Sequence, residues 1–158
     1  MNNNTSKQLG ETDKIIDSLQ RDHTLIKKKM KALINSNFLS SSWVNLYNEF
    51  KTLLIDHVEK EDKHLYPFLQ IKALEYRELA DVLDEFESEI STISQLVQDL
   101  DEKIKNGNNY VAQDFEYLYV MITFRMALEE ETIFKDFGNV IKMIENHEAF
   151  TKKSTKKL

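Results

Sequence analysis

The sequence predicts an all-α protein, an up-and-down four-helix bundle with a short C-terminal helix, on three observations. Helix breakers are scarce, with three Gly and one Pro in 158 residues, where an average composition would give roughly eleven and eight. Those present are spaced along the chain, at Gly10, Pro67, Gly107 and Gly138. Between them, apolar residues recur every three or four positions, the period of one helix face. A sandwich or barrel needs a turn residue between successive strands, and this chain lacks them. Its isolated glycines also exclude a Gly-rich phosphate loop. One domain of this length buries roughly 70% of its unfolded surface.

The first helix is expected from about Thr12, a cap residue with Asp13 in the first turn. Ile16, Leu19, Ile26, Met30 and Leu33 form its stripe, and His23 falls in the same seam. The polar run 35–42 reads as a connection. A second helix spans about Trp43 to Tyr66, with Leu46, Phe50, Leu53, His57, Glu61 and Leu65 on one face, and Pro67 is expected to end it. The third carries Leu79, Leu83, Phe86, Ile90, Ile93, Val97, Leu100 and Ile104 and stops at Asn106-Gly107. The fourth places Val111, Phe115, Leu118, Ile122, Arg125, Glu129 and Ile133 on one stripe, ending before Gly138. Val140, Ile141 and Ile144 suggest the short C-terminal helix. The expected organisation is a flexible terminus over 1–11, the bundle over 12–150 and a basic flexible tail over 151–158.

The formal charge is −6 with 30% charged residues of mixed sign, a soluble surface that gives no reason to expect nucleic-acid binding. Lys152, Lys153, Lys156 and Lys157 make the one basic cluster, read as a solvated terminus. The absence of Cys removes disulfides, thiolate nucleophiles and zinc–thiolate sites together. The most apolar run, Tyr117 to Phe124, is far shorter than the ~20 residues of a membrane span. The polar first residues lack a signal peptide's apolar core. No membrane association and a cytoplasmic location are expected.

Five polar residues interrupt the apolar seams: His23, His57, Glu61, Arg125 and Glu129. Burying such groups costs several kcal/mol unless they are compensated, so each needs a partner. His57 and Glu61 are one turn apart and can present an imidazole nitrogen and a carboxylate to one ion. Such a ligand set suits iron, manganese or zinc. His23, on an antiparallel neighbour, can reach the same layer. Taken singly, each histidine also reads as a hydrogen-bonded core residue. Glu61-Asp62-Lys63-His64 is a Glu-x-x-His string, but no second copy exists for a ferritin-like site. His64 reads as peripheral and His147 as solvated. Trp43, Tyr47, Phe50, Phe86, Phe115, Tyr119 and Phe124 read as core before they read as a ligand pocket.

The string His57-Val58-Glu59-Lys60-Glu61-Asp62-Lys63-His64-Leu65-Tyr66-Pro67 resembles the second-helix motif of the hemerythrin-like (HHE cation-binding) family. His23, with Ile26, Met30 and Leu33 behind it, is similar to that family's first-helix histidine. A shift from Glu61 to Glu129 superposes Leu65-Tyr66 on Ile133-Phe134, an internal repeat. The resemblance spans roughly residues 12 to 137. It implies a non-haem di-iron centre, with one His from each of four helices and bridging carboxylates from the second and fourth. It also implies oxygen or nitric oxide binding, or repair of iron centres.

The chain departs from that pattern. The shift that aligns Glu61 with Glu129 sets Arg125 opposite His57, and no His lies between His64 and His147. In the third helix the expected histidine position falls at Phe86 or Glu87. The reading is therefore an incomplete di-iron site binding one metal ion weakly or none, through His23, His57, Glu61, Glu129 and Glu87. Iron or another divalent metal is the cofactor and a small diatomic molecule the ligand. Arg125 acts as an ion-pair replacement for the other metal, since a guanidinium keeps its charge; an outward Arg125 paired with Glu130 is the alternative. The expected role is a sensing or regulatory module rather than an enzyme. A true di-iron protein and a metal-free interaction bundle are the competing readings.

Overall fold

The computed structural model describes the backbone of residues 3–139 and the side chains of residues 14–139. The helices are α1 (Asn3–Ile34), α2 (Ser41–His64), α3 (Tyr66–Ala73), α4 (Arg77–Lys105) and α5 (Val111–Leu128). A π-helical turn, Glu129–Ile133, extends α5, and the chain stays helical to residue 139. No strand occurs among the described residues. The long helices α1, α2, α4 and α5 run up and down. His23 on α1 meets both His57 on α2 and Glu129 beyond α5, while Leu33, ten residues on, meets Trp43 on α2. The fold is the all-α bundle that the periodicity predicts. No described helix is long and apolar enough to cross a membrane.

The connections follow local chemistry. Ser40 is extended and its Oγ accepts the Trp43 N–H at 3.2 Å, capping α2. At the end of α4, Gly107 takes φ 61°, where a side chain would be strained. Its N–H reaches Ile104 O and the Asn108 N–H reaches Lys103 O, so two orphan carbonyls of α4 are satisfied.

Three boundaries differ from expectation. The first helix begins at Asn3, so Gly10 and Thr12 lie inside it. Pro67 does not end the second helical stretch but lies in the first turn of α3. There its missing N–H has no helical acceptor to lose, and the break falls at Leu65. Gly138 is also helical; one such Gly costs about 1 kcal/mol against Ala, and Phe134 and Phe137 beside it are anchored in the core. The residues suggested for a C-terminal helix, Val140, Ile141 and Ile144, lie outside the described residues, as do His147 and the lysine tail.

Two apolar cores stack along the bundle. One contains Ile26, Met30, Leu33, Trp43, Tyr47, Phe50, Leu54, Ile93, Phe115, Ile122 and Met126. Within it Trp43 stacks on Tyr47 at 5.4 Å, with Phe115 edge-on to both. The other gathers Leu19, Leu65, Leu69, Leu83, Phe86, Ile133, Phe134 and Phe137, with α3 as its cover. Trp43, Tyr47, Phe50, Phe86 and Phe115 are thus core, whereas Phe124 is exposed. Between the two cores lies a layer of buried polar residues.

Candidate metal centre

The layer consists of His23, His57, Glu61, Arg125 and Glu129, the five residues that interrupt the apolar stripes; none is more than 5% exposed. They are there because each is in phase with the buried face of its helix. α1 contributes His23 between Leu19 and Ile26, and α2 contributes His57 and Glu61 between Leu54 and Leu65. α5 contributes Arg125, and the π-helical turn contributes Glu129.

His23, His57, Glu61 and Glu129 each offer one ligand-capable atom, all within 4.8 Å of one another. His23 Nε2 lies 3.2 Å from His57 Nε2 and 3.1 Å from Glu129 Oε2. His57 Nε2 lies 3.4 Å from Glu61 Oε1 and 4.0 Å from Glu129 Oε2. Four ligands bound to one ion at 2.0–2.2 Å would stand ~3.3–3.6 Å apart at tetrahedral angles. The three shortest separations are near that range, and the wider ones, up to 4.8 Å, would have to close by about 1 Å around a single cation.

The outward faces of the imidazoles fix their inward faces. His23 Nδ1 is 2.7 Å from Glu130 Oε1, and His57 Nδ1 is 3.5 Å from Asp22 Oδ2. A carboxylate can only accept, so each Nδ1 carries a hydrogen and each Nε2 faces inward, as a donor to the Glu61 and Glu129 carboxylates while protonated and as a lone-pair ligand where a cation takes the proton's place. Lys27 holds Glu130 and Lys60 holds Asp22. This is the outer support that orients metal-ligating histidines. His23 also stacks on Phe134 at 5.4 Å. Both oxygens of Glu61 and of Glu129 are buried without an aligned hydrogen bond, although Glu129 has charged neighbours in Arg125 Nε at 2.6 Å and His23 Nε2 at 3.1 Å. Glu61 is the poorer served of the two, with Arg125 Nη2 at 3.8 Å and His57 Nε2 at 3.4 Å, and a cation beside it would compensate its buried oxygens.

Without a cation, protons and Arg125 share that charge. Burial opposes protonation of His57, yet hydrogen bonding to Glu129 and Glu61 raises its pKa to about 10. Burial also acts to raise Glu129, but His23, His57 and Arg125 bring it down to about 2. Burial and the neighbouring Glu129 push Glu61 upward.

Arg125 is directed inward, so the outward pairing with Glu130 does not occur. Its Nε sits 2.6 Å from Glu129 Oε1 and its Nη2 3.8 Å from Glu61 Oε2. Nη1 donates to Phe86 O at 2.6 Å and Nη2 to the Tyr66 hydroxyl at 2.8 Å. The guanidinium packs over the Phe86 ring at 4.9 Å. A cavity of about 220 Å³ between α2, α3 and α4 reaches this Arg125–Tyr66 side of the layer. A far smaller one, about 10 Å³, touches His57, Arg125 and Glu129 amid Ile26, Leu54, Ile93 and Ile122.

Glu87, expected as an oxygen ligand, is exposed and is not brought into the cluster. Phe86 takes the inward position because it continues the Leu83, Ile90 and Ile93 stripe. His64 is exposed at the end of α2. The supporting residues Asp22, Tyr66 and Glu130 were not singled out as part of the site by sequence; only the adjacency of Asp22 to His23 and of Glu130 to Glu129 hinted at them.

A protein-family model, the hemerythrin HHE cation-binding domain, matches residues 14–137. No curated protein and no solved structure matches the chain.

Proposed function

The chain belongs to the hemerythrin HHE cation-binding domain family, and from that premise we propose that it binds one transition-metal ion per chain. His23 Nε2, His57 Nε2, Glu61 and Glu129 are the ligands. The observation that carries this reading is the gathering of four buried ligand-capable atoms, two of them imidazole nitrogens oriented by carboxylates behind the rings. Two imidazoles and two carboxylates suit iron, manganese or zinc; iron is the first choice in this family. The ion would supply a coordination position for a small ligand.

The chain's own residues decide what that position can accept. Arg125 stands where the second-helix repeat calls for another histidine, and it keeps a permanent positive charge beside Glu129 Oε1. A second metal there would meet a cation instead of a ligand, which supports a mononuclear centre. The cavity beside His57 and Glu129 is about 10 Å³, roughly the room of one water-sized sphere. Space on that side favours a ligand no larger than a water or a small diatomic molecule, the latter with slight adjustment of the lining. With no paired nucleophile and base beside the centre among the described residues, the role proposed is sensing or regulation through ligand or metal binding.

Elemental analysis of anaerobically purified protein tests the reading. About one iron, manganese or zinc per chain is expected. About two irons with an oxo-bridged absorption band would establish the di-iron alternative. A second reading, a metal-free ion-pair bundle, is favoured by the short Arg125–Glu129 contact. It predicts no metal uptake and a melting temperature indifferent to both chelator and added metal.

A further inference from the structure

The outer face of α5 carries a row of apolar side chains unrelated to the metal layer. Tyr110, just before the helix, is 65% exposed; Tyr117, Val120 and Phe124 are 55%, 62% and 59% exposed. With the exposed Gln113 and Ala127 they run 110, 113, 117, 120, 124, 127, alternating steps of three and four. The inward stripe of Val111, Phe115, Leu118, Ile122 and Arg125 is separate and fully used. A second 3–4 seam on the outside of one helix is the pattern that packs against another helix.

We propose that this seam pairs with its own counterpart in a second copy of the chain, α5 antiparallel to α5 about a two-fold axis. Such a contact is isologous, so one stripe must complement itself. In the register that sets Tyr117 of one copy opposite Val120 of the other, Phe124 falls opposite Gln113 and Tyr110 opposite Ala127. Every aromatic residue then meets a smaller one, the alternation that lets facing layers interdigitate. Glu116, on the flank, falls opposite Met121, so no carboxylate faces a carboxylate. Asp114 is already held by Lys103 within each copy. A lipid surface is a poorer occupant, because the flanking charges of the seam, Glu116 and Glu131, are acidic rather than basic.

The area supports a weak, reversible pair. The four exposed apolar side chains leave on the order of 450 Å² bare, and the flanks bring the face toward the ~600–800 Å² per partner of small interfaces. An apolar patch of that size is at the upper end for a free monomer.

Sedimentation velocity across about 5–500 µM should show a concentration-dependent monomer–dimer equilibrium, with or without bound metal. Val120→Glu and Phe124→Glu should each weaken dimerisation about tenfold or more, with unchanged circular dichroism and melting. Leu74→Glu, at a still more exposed apolar site off the seam, should leave dimerisation unchanged. A chain monomeric throughout, or a dimer indifferent to both seam variants, overturns the proposal. The lack of cysteine allows a test of direction. Mixed Tyr117→Cys and Val120→Cys proteins should oxidise mainly to the mixed disulfide. Predominant Tyr117→Cys homodisulfide would mean a parallel pair and overturn the antiparallel register.

Discussion

His23 is held through both ring nitrogens by two consecutive glutamates: Glu130 Oε1 lies 2.7 Å from Nδ1 and Glu129 Oε2 lies 3.1 Å from Nε2. One carboxylate orients the ring and the other shares the space in front of it. Glu130→Gln keeps a hydrogen-bond acceptor but removes the charge behind the imidazole. Metal affinity should fall about 10–100-fold, while circular dichroism stays unchanged. Equal affinity by competition titration against a chelating dye would remove Glu130 from the supporting role.

Ligand removal should separate the carboxylates from their surroundings. Glu129→Gln takes away a ligand and leaves Arg125 without its nearest anion, so metal content should fall to near zero. Breaking a buried ion pair by removing one partner costs about 3–5 kcal/mol. Chemical denaturation of this variant should therefore show a stability loss even in chelator, where a mere loss of metal would not.

The second metal position can be restored by substitution. Arg125→His together with Phe86→His would put imidazoles at the two inward positions of α4 and α5. Uptake should rise from about one metal to about two per chain, in keeping with the family's paired centre. Arg125→His with Glu87→His should not do so, since Glu87 is exposed. Equal uptake by the two double variants would show that Phe86 is not the inward position.

The metal-free chain should be most stable in mildly acidic solution. The folded-state pKa of His57, about 10, lies above its unfolded value of ~6.5. Its contribution is full below ~6.5 and is lost as pH rises through 10. Glu129, at about 2 when folded, contributes fully above ~4.5 and loses that contribution as pH falls through 2. Denaturant midpoints of chelated protein should peak between about pH 4.5 and 6.5 and decline on both sides. A midpoint that keeps rising toward pH 9 would contradict the His57 pairing.

The bundle and the inward-facing polar residues were legible because one rule produces both. A residue at the three-and-four spacing faces the core whether or not it is apolar, so His23, His57, Glu61, Arg125 and Glu129 were marked by their phase. Where two rules compete, one sequence was not enough. Family spacing allowed Glu87, whereas the stripe through Leu83 and Ile90 selects Phe86. Pro67 reads equally as a stop and as a first-turn residue, and only the apolar cover that α3 lays on Leu65 and Phe137 decides between them. The π-helical turn at Glu129 leaves no local signature, since three successive glutamates are compatible with an ordinary helix.

That turn has a consequence for length. A π-helical turn is an α-helix holding one residue too many, and here the surplus lies between the buried polar layer and the apolar cap. Rewinding the turn as a regular α-helix with every residue kept would instead swing Ile133, Phe134 and Phe137 by about 100°. All three now pack in the core with Leu65 and Leu69. The wide turn thus absorbs the surplus residue, so that Glu129 faces the buried polar layer and Ile133, Phe134 and Phe137 still face the cap.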